Sequence, residues 1–73
     1  MNTELKKMEF RVYEIETSDD LDDAISDLQK YGAEKITVIS TDFDNSESAR
    51  FEVFVPEHKA KEFILDVRTQ MSV

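Results

Sequence analysis

Residues 18–32 read SDDLDDAISDLQKYG, and the fold turns on this stretch. Leu21, Ala24, Ile25, Leu28 and Tyr31 fall at offsets of three, four, seven and ten residues, an apolar stripe of helical period. Ser18 offers an N-cap hydroxyl, and Asp19 and Asp20 put negative charge in the first turn, where the helix dipole favours it. Gly32 is the chain's only glycine and stands where a residue in the left-handed conformation would close the helix. These signals predict a helix over 18–31 that turns Asp19, Asp22, Asp23 and Asp27 away from its apolar stripe.

Outside that helix the period changes. Met8–Glu16 (MEFRVYEIE) alternates as a strand does, with Met8, Phe10 and Val12 on one face and Tyr13 and Ile15 on the other. The switch of face between Val12 and Tyr13 calls for a bulge or for two partly covered faces. Lys35–Thr41 (KITVIST) is rich in β-branched residues and reads as a second strand. The polar run Asp42–Ser48 (DFDNSES) is a loop longer than a tight hairpin turn, and Arg50–Val55 (RFEVFV) alternates as a third strand. Pro56 suits the first turn of a helix, where its missing N–H would be unpaired anyway. Ala60, Phe63, Ile64, Val67 and Met71 then form a second helical stripe. Residues 1–7, MNTELKK, read as a flexible polar leader, too polar and too short for a targeting peptide, ahead of a single small domain over 8–73.

The order is therefore β-α-β-β-α, an α+β fold. A right-handed first crossover and a hairpin between the second and third strands leave one economical arrangement. The first strand lies antiparallel to the third, the third pairs with the second, and both helices cover one face of a three-stranded sheet. This order resembles the ferredoxin-like split βαβ fold without its last strand, the fold used by regulatory ACT domains and PII signalling proteins. The resemblance spans residues 8 to 71 and rests on element order. The glycine turn of ACT domains has no counterpart here, since Glu16-Thr17-Ser18 follows the first strand, so the resemblance implies no site residues.

Charge narrows the functional classes. The chain of 73 residues carries 17 acids against 9 bases, a net charge of −8. Such a field repels nucleic acid and anionic membranes and attracts cationic partners. The absence of cysteine excludes disulfides and thiolate metal sites and fits a reducing cytoplasm; the single histidine, His58, cannot form a histidine metal cluster. No apolar run is long enough for a membrane-spanning helix. From Val12 to Gln29 there are seven acids and no Lys or Arg. On the expected topology the end of the first strand, the start of the first helix and the loop after the second strand share one pole. Asp19, Asp20, Asp22, Asp23, Asp42, Asp44 and Glu47 should gather there, with Glu14 and Glu16, while Lys30, Lys35, Lys59 and Lys61 occupy the other pole. Acids at a helix start also offset its dipole and keep a small domain in solution, so the cluster has a structural reading beside the functional one.

The uncovered sheet face is the second candidate. If Ile36, Val38, Phe51, Val53 and Val55 face the helices, Thr37, Ile39, Thr41, Glu52 and Phe54 face outward. Tyr13 and Ile15 would join Ile39 and Phe54 in an apolar patch suited to a partner or to a second copy, making the chain a homodimer. The first strand, with no fourth strand beside it, would be an open edge.

Other chemistry finds little footing. Asp42-x-Asp44-x-Ser46-x-Ser48 echoes a calcium loop but lacks the sixth-position glycine and has Val53 where the twelfth-position glutamate belongs. Paired carboxylates such as Asp19 and Asp23 are expected on a solvated helix face, where the sequence gives no sign of a cleft to shift a pKa. One glycine cannot build a phosphate-cradling loop. The sequence therefore leads us to expect a non-enzymatic regulator or inhibitor without metal or cofactor. Its acidic pole would dock on a basic partner protein, including one that grips nucleic acid, in the manner of a nucleic-acid mimic. The alternative is a homodimeric sensor or structural module that packs through its open sheet face.

Overall fold

A computed structural model describes residues 4–73. Along the chain come β1 (Leu5–Tyr13), α1 (Ser18–Tyr31), β2 (Lys35–Asp42), β3 (Ser48–Pro56) and α2 (Ala60–Gln70), with a 3-10 turn at Glu57–Lys59 leading into α2. The sheet order is β1-β3-β2, and both pairings are antiparallel. The last strand of the chain thus lies in the middle, and β1 and β2 form the two edges. The fold is the expected α+β arrangement.

β1 starts earlier than its sequence suggests. Leu5, Lys6 and Lys7, expected in a flexible leader, lie opposite Pro56, Val55 and Phe54. β3 runs on to Pro56, so its backbone offers partners that side-chain polarity cannot reveal. Residues 1–3 of the expected leader lie outside the described residues.

The core fills the space between the inner sheet face and the helices. Phe51, Val53 and Val55 of β3 are fully buried, and Ala24 and Leu28 of α1 meet Phe63 and Val67 of α2 above them. Phe10 joins the two layers, its ring centroid 6.4 Å from Phe51 and 6.3 Å from Phe63, both in tilted contact. Each fully buried large side chain contributes roughly 1.5–3 kcal/mol, so these few residues hold most of what stabilises so small a domain.

Two details of α1 fix its position. Its N-cap is Thr17, not the expected Ser18: the Thr17 hydroxyl accepts from the Asp20 N–H at 3.3 Å, and the Asp20 carboxylate accepts from the Thr17 N–H at 3.2 Å. That reciprocal pair is a capping box, and it places Asp20 where both the dipole and the hydrogen bonds favour it. At the other end Gly32 has φ 126°, a region that L side chains rarely adopt. Its N–H donates to the Gln29 carbonyl at 3.1 Å and the Ala33 N–H to the Leu28 carbonyl at 3.0 Å. This is the Schellman pattern, with buried Ala33 packed as the apolar residue that follows it.

Among the described residues, no helix is long and apolar enough to cross a membrane.

Candidate functional site

The end of the molecule where β1 stops is built by backbone turns that only a few residues tolerate. Glu14 and Glu47 both have positive φ, 64° and 50°. Turning at Glu14 breaks the strand alternation, and the next residue, Ile15, swings into the core, where it is 2% exposed. Ile15 is therefore not part of the open sheet face as expected. Its N–H donates to the Glu47 carbonyl at 2.8 Å, which ties the exit of β1 to the β2–β3 loop. The Tyr13 N–H donates to the Ser72 carbonyl at 2.7 Å, and the Ser72 hydroxyl donates to the Glu14 carboxylate, which brings the segment after α2 to the same place.

These ties draw carboxylates together. Hydrogen bonding of the Glu16 carboxyl with that of Glu47, then the negative charge of Glu47, reinforced by Asp20 and Glu14, favours the protonated form and raises the pKa of Glu16 above the ordinary 4.5. Asp42 behaves in the opposite way. It accepts from the Asn45 N–H at 3.1 Å and the Ser46 hydroxyl at 3.0 Å, and these bonds, with nearby Arg11, hold its pKa below 3.8. Asp42 thus organises the β2–β3 turn, while Glu16 sits in a field that resists its ionisation.

A surface groove of about 190 Å³ opens between α1 and the chain after α2. Glu14, Asp20, Asp23 and Asp27 line it, no Lys or Arg among the described residues does, and Val12, Ile15, Ala24 and Met71 supply its apolar lining. Positions 20, 23 and 27 lie on the side of α1 that faces this groove. Asp27, which the helical wheel turns toward solvent, is half-buried here because α2 ends beside it. Asp19 and Asp22 stand exposed elsewhere on α1, and Asp44 is exposed on the β2–β3 turn. The acids expected to gather at one pole thus fall into three groups: those at the groove, those on the outer side of α1 and those of the turn. Glu14 and Asp27 are the groove residues that the periodicity of α1 does not reveal. Among the described residues, none of these acids forms an ion pair, and no group of three or more His, Cys, Asp or Glu converges to hold a metal ion.

The open sheet face differs from its expected form. Across β1, β3 and β2 its rows read Lys7–Phe54–Lys35, Glu9–Glu52–Thr37, Arg11–Arg50–Ser40 and Tyr13–Ser48–Asp42. Phe54 and Tyr13 stand at opposite ends of this lattice, six residues apart in register, about 20 Å at strand rise. Between them lie diagonal ion pairs, Lys7 to Glu52 at 3.5 Å and Arg50 to Glu9 at 3.8 Å. Lys35 covers Phe54 with its ammonium 5.6 Å from the ring centroid. Ile39 is the extra residue of a bulge, since the register shifts between Val38 and Ser40. The structure does not bring Tyr13, Ile39 and Phe54 together into one apolar patch.

Compared with protein-family models, with curated proteins and with solved structures, the chain matches none.

Proposed function

We propose that this protein is a non-enzymatic binding module that docks its acidic end on a basic surface of a partner protein. The partner class that fits best is a protein that itself grips nucleic acid, with this chain acting as regulator or inhibitor by taking the place of the phosphates. The observation that carries this reading is the groove bounded by Glu14, Asp20, Asp23 and Asp27 with no cation among its lining residues. An arginine or lysine entering it lays its aliphatic stem along Val12, Ala24 and Met71 and its charge among carboxylates. The raised pKa of Glu16 supports the reading as well, because an arriving cation relieves the repulsion that raises it.

The molecule is 44 Å along its longest axis, several times the screening length of about 8 Å at physiological ionic strength, so its two ends act on a partner separately. The test follows from that separation. Asp23→Lys with Asp27→Lys is compared with Glu57→Lys with Glu62→Lys, at the far end, for association with basic nucleic-acid-binding proteins at low and high salt. The first pair should slow association strongly and the second little, and the bound partner should lose its DNA or RNA. Equal losses from both pairs, or binding undiminished in high salt, would overturn the reading.

A further inference from the structure

The outer edge of β1 carries an observation that the acidic end does not explain. Two backbone bonds fix which way its peptide groups point. The Glu57 N–H donates to the Glu4 carbonyl, on the β3 side, and the Tyr13 N–H donates to the Ser72 carbonyl, on the outer side. Strand alternation then directs the N–H and C=O groups of Leu5, Lys7, Glu9 and Arg11 outward, along an edge that runs without a register break through nine paired positions. No described segment pairs with these four residues. Beside the edge, between β1 and α2, lies a mostly apolar groove of about 230 Å³ whose lining includes Met8, Phe10, Ile64 and Val73 beside the charged Glu9 and Arg68. Ile64 is 42% exposed and Val73 49%, although Ile64 belongs to the apolar stripe of its helix.

We propose that a second copy of this chain covers this edge, its β1 pairing antiparallel with β1 across a two-fold axis at Met8 to give a continuous six-stranded sheet. The charges of the strand select both the occupant and the register. With the axis at Met8, Lys7 of each copy faces Glu9 of the other, twice over, and Leu5 faces the Arg11 stem. Moving the axis one residue, to Glu9, sets Glu9 against Glu9 and Lys7 against Arg11, like against like. Moving it to Phe10 sets Lys7 against Tyr13, whose N–H is already held by Ser72. Only the Met8 register is both complementary in charge and compatible with the Tyr13–Ser72 bond. It also brings Met8 of the two copies together as a non-hydrogen-bonded pair and lays the partner's inner face over the groove that leaves Ile64 and Val73 in water.

The test uses charge reversals that repel themselves but attract each other. The native chain should sediment at micromolar concentration with a mass near twice 8.5 kDa. Lys7→Glu alone and Glu9→Lys alone should each weaken self-association about tenfold or more, while an equimolar mixture of the two should restore the dimer. A variant that merely disturbs its own fold is not rescued by mixing, and circular dichroism checks that both variants stay folded. Met8→Cys, in a chain with no other cysteine, should form an intermolecular disulfide under mild oxidation, whereas Phe10→Cys should not. A strict monomer, a dimer indifferent to both reversals, or crosslinking through Phe10→Cys instead of Met8→Cys would overturn the proposal.

Discussion

The two edges of this small sheet are built on opposite plans. β2 carries a bulge at Ile39, and its exit toward β3 is closed by Asp42 hydrogen bonds to Asn45 and Ser46. β1 pairs without interruption from Leu5 to Tyr13 and leaves the sheet through Glu14–Glu16, where carboxylates crowd one another. A bulge twists an edge and spoils it as a template for further strands, whereas a regular edge with a groove beside it is a template. The lesson is that edge protection is placed strand by strand, and its absence on one edge marks that edge as a candidate for pairing.

The largest expected effect breaks the β1 side alone. Phe10→Ala removes the ring that ties β1 to Phe51 and Phe63 and should destabilise the domain by about 2–4 kcal/mol. Domains of this size have roughly 3–5 kcal/mol in all, so urea titration should find the variant close to unfolded in water. Val38→Ala, at the matching inner position of β2, should cost about half as much. If the two variants unfold at the same urea concentration, the edges are equally integrated and the contrast fails.

Next comes the connection that leaves β1. Thr17→Ala removes the hydroxyl that accepts from the Asp20 N–H and should cost about 1 kcal/mol, while Thr17→Ser should cost much less. Thermal unfolding followed by circular dichroism at 222 nm reads the difference.

The two strand exits should then respond to pH with opposite signs. Glu16 has a raised folded pKa, so its favourable contribution is present below 4.5 and is lost as pH rises through the raised value. Glu16→Gln should therefore raise the melting temperature at neutral pH and leave it unchanged in acid. Asp42 has a lowered folded pKa, so its contribution is present above 3.8 and is lost as pH falls through the lowered value. Asp42→Asn should lower the melting temperature at neutral pH, with the deficit closing in strong acid. Melting curves between pH 2 and 8 would refute the contrast if both variants shifted the same way.

The smallest effect belongs to the protected edge. Ile39→Thr replaces an exposed residue in a bulge, and stability should stay within about 0.5 kcal/mol. Its self-association should match that of the native chain, and a change there would move the pairing edge from β1 to β2.

Element order was legible because each element announces a period. The 3.6-residue stripe of α1 and Gly32 even placed its ends at Ser18 and Tyr31. Ile15 was illegible because alternation counts residues, and Glu14 resets the count by adopting a left-handed conformation more often taken by glycine or asparagine. The open sheet face was misread for a related reason. Alternation says which face a residue takes, but the neighbours it meets depend on register across strands, which the hairpin length and the bulge at Ile39 decide. Of the acidic end, the run of carboxylates from Glu14 to Asp27 was plain in the sequence. Its division into a groove and two outlying groups depends on where α2 ends. The open edge of β1 followed from strand order, but the groove beside it depends on Ile64 facing the gap between α2 and β1.

The strand order also sets a timetable for folding. The pair Asp42–Ser48 that begins the β2–β3 hairpin encloses only residues 43–47, whereas the nearest β1–β3 pair, Tyr13–Ser48, encloses residues 14–47. Closing the longer loop costs roughly 1.5–2 kcal/mol more in chain entropy, so the hairpin forms ahead of it and β1 docks last on a ready template. Pulsed hydrogen exchange should protect the amides of β2 and β3 before those of β1. The same order read backwards makes β1 the first element to detach, exposing the edge of β3 to any other β1 in solution. If copies join through β1 as proposed, the same edge also holds the means to exchange that strand between them.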